Sequence, residues 1–276
     1  MKDMNDLPQP VFVRELGTGD RRLLAVHCTL AHSGVWRGLA QALDGQARLT
    51  AFDMLSHGRS PDWDGQGDIQ DRTLDTALGL LDEPMDVIGH SFGATVALRL
   101  AVARPDLVRS LTLIEPVYFA FALQSAPEAV ARHEADAAPF TEALARGEVA
   151  TGARLFNRMW GGGVGPRWDA LPEAARASMI RGIPLVPACR QALYDDPAGV
   201  AAPGGLDAVT MPVLLMRGCD SHPVISAITD AIAARLTRVR QEAVPGAGHM
   251  LPITHPEAVA AAMRGVFADA PLPGAA

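Results

Sequence analysis

The sequence predicts an α/β fold, a mostly parallel central sheet flanked by helices on both faces and interrupted by one long helical insertion. Three observations point there. Short apolar runs of strand length alternate with helix-spaced apolar stripes as far as Pro116, the pattern of strands buried on both faces. The alternation stops between residues 117 and 207, where the chain is rich in Ala, Arg and Glu and shows no strand-like run. It resumes at Pro212 and continues close to the end. Residues 1–116 and 208–276 therefore read as one core and residues 117–207 as a helical cap over it, within a length that a single core accommodates.

In chain order, Val11 to Leu16 and Leu23 to His27 read as strands, the second running into the turn-rich stretch Cys28 to Gly34. Val35 to Leu43 places Trp36, Leu39, Ala40 and Leu43 on one helical face. Leu49 to Phe52 returns as a strand that ends at Asp53, and Asp68 to Leu81 carries Leu74, Ala77, Leu78 and Leu81 as a buried stripe. The strand Met85 to Ile88 is followed by a helix from Ala94 to Ala103, which Pro105 stops before the strand Leu111 to Ile114. After the insertion come the strand Val213 to Met216, a helix from about Val224 to Leu236 and a strand near Val239 to Val244. A last helix starts around Pro256, with Thr254 and Glu257 at capping-box spacing. The tail from Ala270 is rich in Pro and Ala and reads as loose.

Composition narrows the function classes. Apolar residues make up 49% and charged residues 20% of the chain, ordinary for a folded enzyme. A net charge of −7 offers no basic surface for nucleic acid. The first residues are acidic and no apolar stretch of signal or membrane-span length follows, so a cytoplasmic location and no membrane partner are expected. Three cysteines, Cys28, Cys189 and Cys219, without Cys-x-x-Cys spacing read as buried thiols. No metal is expected, because His133, His222 and His255 lack ligand spacing. No cofactor is expected either, since dinucleotide and phosphate loops are missing. Oligomeric state is not legible.

The motif that carries chemistry is Gly89-His90-Ser91-Phe92-Gly93, between a strand and a helix. Glycines two residues either side of Ser91 leave room for a sharp turn that projects the hydroxyl at the top of the sheet. A serine hydroxyl is a weak nucleophile at neutral pH and needs a base, itself oriented by a third group. Asp220, beyond the strand Val213 to Met216, and His249, in the loop Pro245 to His249, stand at the sheet edge where such partners belong. Glu115, at the end of the strand after the elbow, competes with Asp220 for the acid role. The backbone N–H of Phe92, opening the helix after Ser91, is placed to stabilise charge on an attacked carbonyl oxygen.

With serine, acid and histidine in this order and the insertion between the first two, the chain resembles the α/β-hydrolase superfamily over nearly its full length. The resemblance implies Ser91 as nucleophile, His249 as general base and then acid, and Asp220 as the orienting carboxylate. It also implies a second oxyanion donor after His27-Cys28, where the family has His-Gly. That makes Thr29 the donor, with a turn that either avoids positive φ at Cys28 or tolerates strain there. Asp53 to Ser60 resembles the family's Asp-x-x-Gly-x-Gly-x-Ser loop, with Ser56 in place of the first glycine and His57 in a structural role. His90 is expected to pack beside the elbow. His32 and Ser33 border the pocket, or Ser33 caps the next helix.

The insertion should roof the pocket, with Phe119, Met159 and Trp160 as substrate contacts, and with Phe121, Phe156 and Trp168 as further lining or cap core. No cluster of Arg or Lys marks a phosphate handle. The expected activity is a serine hydrolase that cleaves an ester, thioester or lactone of a small to medium, mostly apolar substrate through an acyl-enzyme. The same triad also serves carbon–carbon bond hydrolysis, acyl transfer and perhydrolysis, and a non-catalytic binding protein with this fold is the alternative from another class.

Overall fold

A computed structural model describes residues 8–161 and 167–272. Seven strands form one sheet: β1 Val13–Leu16, β2 Arg21–Val26, β3 Ala47–Phe52, β4 Met85–His90, β5 Val108–Ile114, β6 Val213–Gly218 and β7 Val239–Val244. Their spatial order is β1-β3-β2-β4-β5-β6-β7, with β1 antiparallel to β3 and every other pairing parallel. This is the α/β-hydrolase architecture. The parallel centre explains the uninterrupted apolar runs, since all six residues of β4 are buried. The first strand begins at Val13, because the Phe12 carbonyl and N–H are engaged by Asp53 and the Ser60 hydroxyl.

The helices before the insertion are α1 Arg37–Ala42, α2 Ile69–Leu80 and α3 Phe92–Ala103. Between β5 and β6 the described residues form α4 Ala120–Ser125, α5 Pro127–Ala145, α6 Val149–Trp160, α7 Glu173–Gly182, α8 Leu185–Ala188 and α9 Arg190–Tyr194, with no strand among them. Gly162 and Gly163 of the glycine run lie outside the described residues, as do residues 273–276 of the tail. The chain closes with α10 Pro223–Ala233, α11 Leu251–Thr254 and α12 Pro256–Asp269. Among the described residues no helix is long and apolar enough to cross a membrane.

Alternation along the strands sorts their side chains onto two faces. Leu24, Val26 and Val87 pack with α2, α3 and α10, while Leu23, Ala25 and Ile88 pack with Trp36, Leu39 and Leu43 of the α1 region and with Val259, Met263 and Val266 of α12. The expected capping box at Thr254 and Glu257 does not form. Thr254 is the last residue of α11, its hydroxyl bonds the Met250 carbonyl at 3.3 Å, and His255 occupies the cap position of α12.

Candidate active site

Ser91 sits between β4 and α3 with φ 56° and ψ −118°, a left-handed backbone held by its N–H donating to the Ile114 carbonyl at 2.9 Å. The flanking glycines are required by close approach. A Cβ at Gly89 would lie 2.2 Å from the Gly93 carbonyl oxygen, and one at Gly93 would lie 2.2 Å from that of Val26. Strain of this kind at a non-glycine residue costs roughly 1–3 kcal/mol and persists where surrounding structure enforces it.

His249 Nε2 is 2.9 Å from Ser91 Oγ, and Nδ1 is 3.0 Å from Glu115 Oε2. The carboxylate at His249 is thus Glu115 and not Asp220. Glu115 follows β5, the strand paired with the elbow strand, and has φ 53°. It is fully buried, and its Oε1 accepts from the Gly218 N–H and the Ser221 hydroxyl, both at 2.6 Å. Asp220 lies two residues beyond the end of β6, in an exposed turn fixed by its N–H donating to the Ala247 carbonyl at 2.9 Å. In that turn the polar side chain directed inward is Ser221, and its partner is Glu115. A carboxylate on Nδ1 fixes the tautomer that leaves Nε2 free to take the serine proton.

The histidine loop is also tied down from below. His90, fully buried, donates its Nε2 proton to the His249 carbonyl at 2.7 Å, and burial, followed by the nearby His249, lowers its pKa well below the ordinary value. It therefore does more than fill space beside the elbow.

Thr29 and Phe92 line the same cavity as Ser91. Among the described residues neither backbone N–H donates to another protein group, and Phe92, first residue of α3, has no partner within its helix. Positive φ in the turn after β2 falls on Leu30, at 64°, so the turn avoids it at Cys28. Two neutral histidines brace this turn reciprocally. His27 donates from Nδ1 to the Cys28 carbonyl at 2.8 Å and accepts at Nε2 from the Met54 N–H at 3.0 Å. His57 donates from Nδ1 to the Leu55 carbonyl at 2.9 Å and accepts at Nε2 from the Leu30 N–H at 2.9 Å. Burial, then the neighbouring His57, lowers His27 to about 3, and burial lowers His57 to about 4. Asp53 accepts from the Ser33 and Arg59 N–H groups at 2.6 and 2.8 Å and completes the brace. Burial opposes its charge, yet these bonds hold its pKa below the usual value. Ser33 caps no helix; it is the first residue of the short turn Ser33–Trp36, which the His32 ring caps.

A cavity of about 450 Å³ opens beside Ser91. Its wall is largely aromatic and aliphatic, with Phe119, Phe140, Phe156 and Trp160 contributed from the insertion, a size and character suited to a small organic ligand. Trp160 lies 4.4 Å, ring to ring, from His249. Met159 is not part of the wall. It lies one residue, about 100° of helical turn, from Trp160 and packs into the hydrophobic core instead. Phe121 is a core residue, fully buried. The sequence reading missed Ser221, His133 and Tyr194; Ser221 alone had a signal, as a hydroxyl following the strand after the insertion. Among the described residues no group of three His, Cys, Asp or Glu side chains is placed to hold a metal. Cys28 and Cys189 are buried thiols, whereas Cys219 is exposed.

The sequence profile of the alpha/beta hydrolase family matches residues 23–262. Lipase LipV of Mycobacterium tuberculosis is 39% identical over 142 residues, which cover 49% of this chain and 52% of LipV. The pimeloyl-(acyl-carrier protein) methyl ester esterase of Nitrosomonas europaea is 29% identical over 251 residues, 90% of this chain and 95% of the esterase. Among solved structures, a haloalkane dehalogenase loop variant from Bradyrhizobium elkanii superposes with a TM-score of 0.69 at 22% identity, covering 93% of this chain and 92% of that one. At that identity the likeness shows the fold alone.

Proposed function

The chain belongs to the alpha/beta hydrolase family, and from that premise we propose that it is a serine esterase acting on small to medium, mostly apolar esters through an acyl-enzyme. The observation that carries this is the unbroken hydrogen-bonded series Ser91–His249–Glu115 beside two N–H groups unpaired among the described residues and an apolar cavity. The names of the lipase and the methyl ester esterase support an ester as the bond cleaved. In this reading His249 takes the Ser91 proton as Oγ attacks the ester carbonyl, and Glu115 stabilises the imidazolium. The N–H groups of Thr29 and Phe92 bind the oxyanion, a contribution that mutagenesis elsewhere puts at roughly 10²–10³ in rate per donor. His249 then protonates the departing alkoxide. A water deprotonated by His249 attacks the acyl-enzyme, releasing the acid and restoring Ser91. Residues 117–207 act as the cap that shapes the acyl site.

The test is covalent labelling with a fluorophosphonate together with hydrolysis of p-nitrophenyl esters. We expect one adduct, on Ser91, and loss of about 10³-fold or more of turnover in folded Ser91→Ala. Undiminished turnover by that variant would remove the reading.

A further inference from the structure

Three buried side-chain nitrogens have no hydrogen-bond partner among the described residues: Trp36 Nε1, His90 Nδ1 and His133 Nδ1. Of these residues only His133 lines the cavity beside Ser91. A buried polar atom without a partner is uncommon in folded proteins and calls for an explanation. The other ring nitrogen of His133, Nε2, also makes no hydrogen bond among the described residues, and unlike Nδ1 it keeps accessible surface, so it is the atom that a ligand in the cavity can reach.

The residue comes from α5, which presents His133, Glu134, Ala137, Phe140, Thr141 and Leu144 to the cavity as one helical stripe. The residue is only 4% exposed. It stacks on Phe119 at 4.5 Å with 18° between planes and lies 5.4 Å from Trp160, which in turn lies 4.4 Å from His249. The imidazole is therefore held rigidly, one indole away from the catalytic centre, in a wall that is otherwise mainly hydrocarbon. Burial, and after it the nearby His222, lowers its pKa to about 4, so at neutral pH the ring offers one donor and one acceptor and no charge.

The surrounding polar groups exclude an anionic ligand group as its match. Glu134 is the next residue on the same wall, and the arginine of the cavity, Arg190, is already paired with it at 3.0 Å. The Tyr194 hydroxyl donates to the same carboxylate. No unpaired cation of the described wall is left to receive a carboxylate, whereas an uncharged oxygen meets no repulsion.

We propose that His133 is a specificity residue that hydrogen-bonds an uncharged oxygen, a hydroxyl or ketone, carried on the chain of the bound substrate. The preferred substrates are then esters of oxygenated medium-chain acids and not those of plain fatty acids. This rests on the esterase reading for the bond cleaved, and on the cavity wall alone for the chain preference.

The experiment compares p-nitrophenyl octanoate with its analogues bearing a ketone or hydroxyl stepped along the chain, using the wild type, His133→Phe and His133→Gln. In parallel, calorimetry measures binding of the corresponding non-hydrolysable methyl ketones to the same proteins. We expect one oxygenated position to exceed the plain ester by about tenfold or more in kcat/KM, the size of one net hydrogen bond. In His133→Phe, which keeps a stacking ring, that ratio should fall to within about twofold, and His133→Gln, which keeps a donor and an acceptor, should recover part of it. The same ordering should appear in the binding constants. A wild type without preference in either readout, or a preference that survives in both variants, would overturn the proposal. Absence of ester turnover with the binding preference intact would instead remove the esterase reading and leave the role of His133 standing.

Discussion

The same two strands, β4 and β5, carry a polar cluster at each end, and the two clusters are built on opposite terms. At the amino end Asp86, 1% exposed, accepts from Arg21 at 2.9 and 3.0 Å, from Arg109 at 3.0 Å and from the Ser110 hydroxyl at 2.6 Å. Both of its oxygens are occupied. Five residues further along each strand stand Ser91 and Glu115, both with positive φ, and beside them, without partners among the described residues, the Nδ1 of His90 and the N–H groups of Thr29 and Phe92. Of the five described non-glycine residues with positive φ, four (Leu30, Ser56, Ser91 and Glu115) lie on loops at this end. One cluster closes the sheet; the other keeps polar groups open and holds strained backbone, as reactive sites do.

The strongest way to break this contrast is to exchange the two carboxylates that the sequence offers for the histidine. Glu115→Gln keeps the volume but cannot hold His249 in the productive tautomer, and we expect kcat to fall by about 10²–10⁴-fold. Asp220→Asn, in an exposed turn, should stay within about twofold of the wild type. Steady-state hydrolysis of one p-nitrophenyl ester by both variants decides it. A large loss in Asp220→Asn with little in Glu115→Gln would reverse the assignment made from the geometry.

That pair also marks how far the sequence could be read. Order and type of the strands followed from apolar runs, and the meeting of Ser91 with His249 followed from their places after β4 and β7. The acid did not. Asp220 and Glu115 both follow strands, and the choice depends on two facts of three-dimensional packing. These are the φ of 53° at Glu115, and the approach of the Gly218 N–H and Ser221 hydroxyl to its carboxylate. Met159 failed for a related reason, since the stripe of α6 facing the cavity runs through Phe156 and Trp160, and nothing in its local pattern fixes that rotation. His133 was legible as a residue and illegible as a cavity wall, because α5 packs against α4, α6 and α10 and its sequence does not show which face is left to the cavity.

At the closed end, the expected effect is on stability and not on chemistry. Asp86→Ala leaves Arg21 and Arg109 facing each other without their anion, and removing one partner of a buried pair typically costs about 3–5 kcal/mol. Urea unfolding should show a midpoint lowered accordingly, with kcat/KM per folded molecule close to the wild-type value. A variant that instead keeps its midpoint and loses turnover would mean that the two ends of β4 and β5 are coupled, and the contrast between them would fail.

The smallest effect separates the ends by pH. His27 and His57 brace the open end in neutral form, with folded pKa values of about 3 and 4, both lowered chiefly by burial. The unfolded chain binds these protons near 6.5, so it holds more protons than the native state below that pH, and stability falls as pH drops from about 6.5 towards 4. Above 6.5 both states are neutral and the contribution is flat. Each such histidine should steepen the loss by about 1.4 kcal/mol per pH unit within the window. In His57→Gln the side-chain oxygen can still accept from the Leu30 N–H but cannot titrate. Its urea stability measured between pH 7 and pH 5 should therefore decline less steeply than the wild type, by about that amount per unit. Equal slopes would show that His57 is solvated or charged in the native state, and the brace on the turn after β2 would then need another acceptor for Leu30.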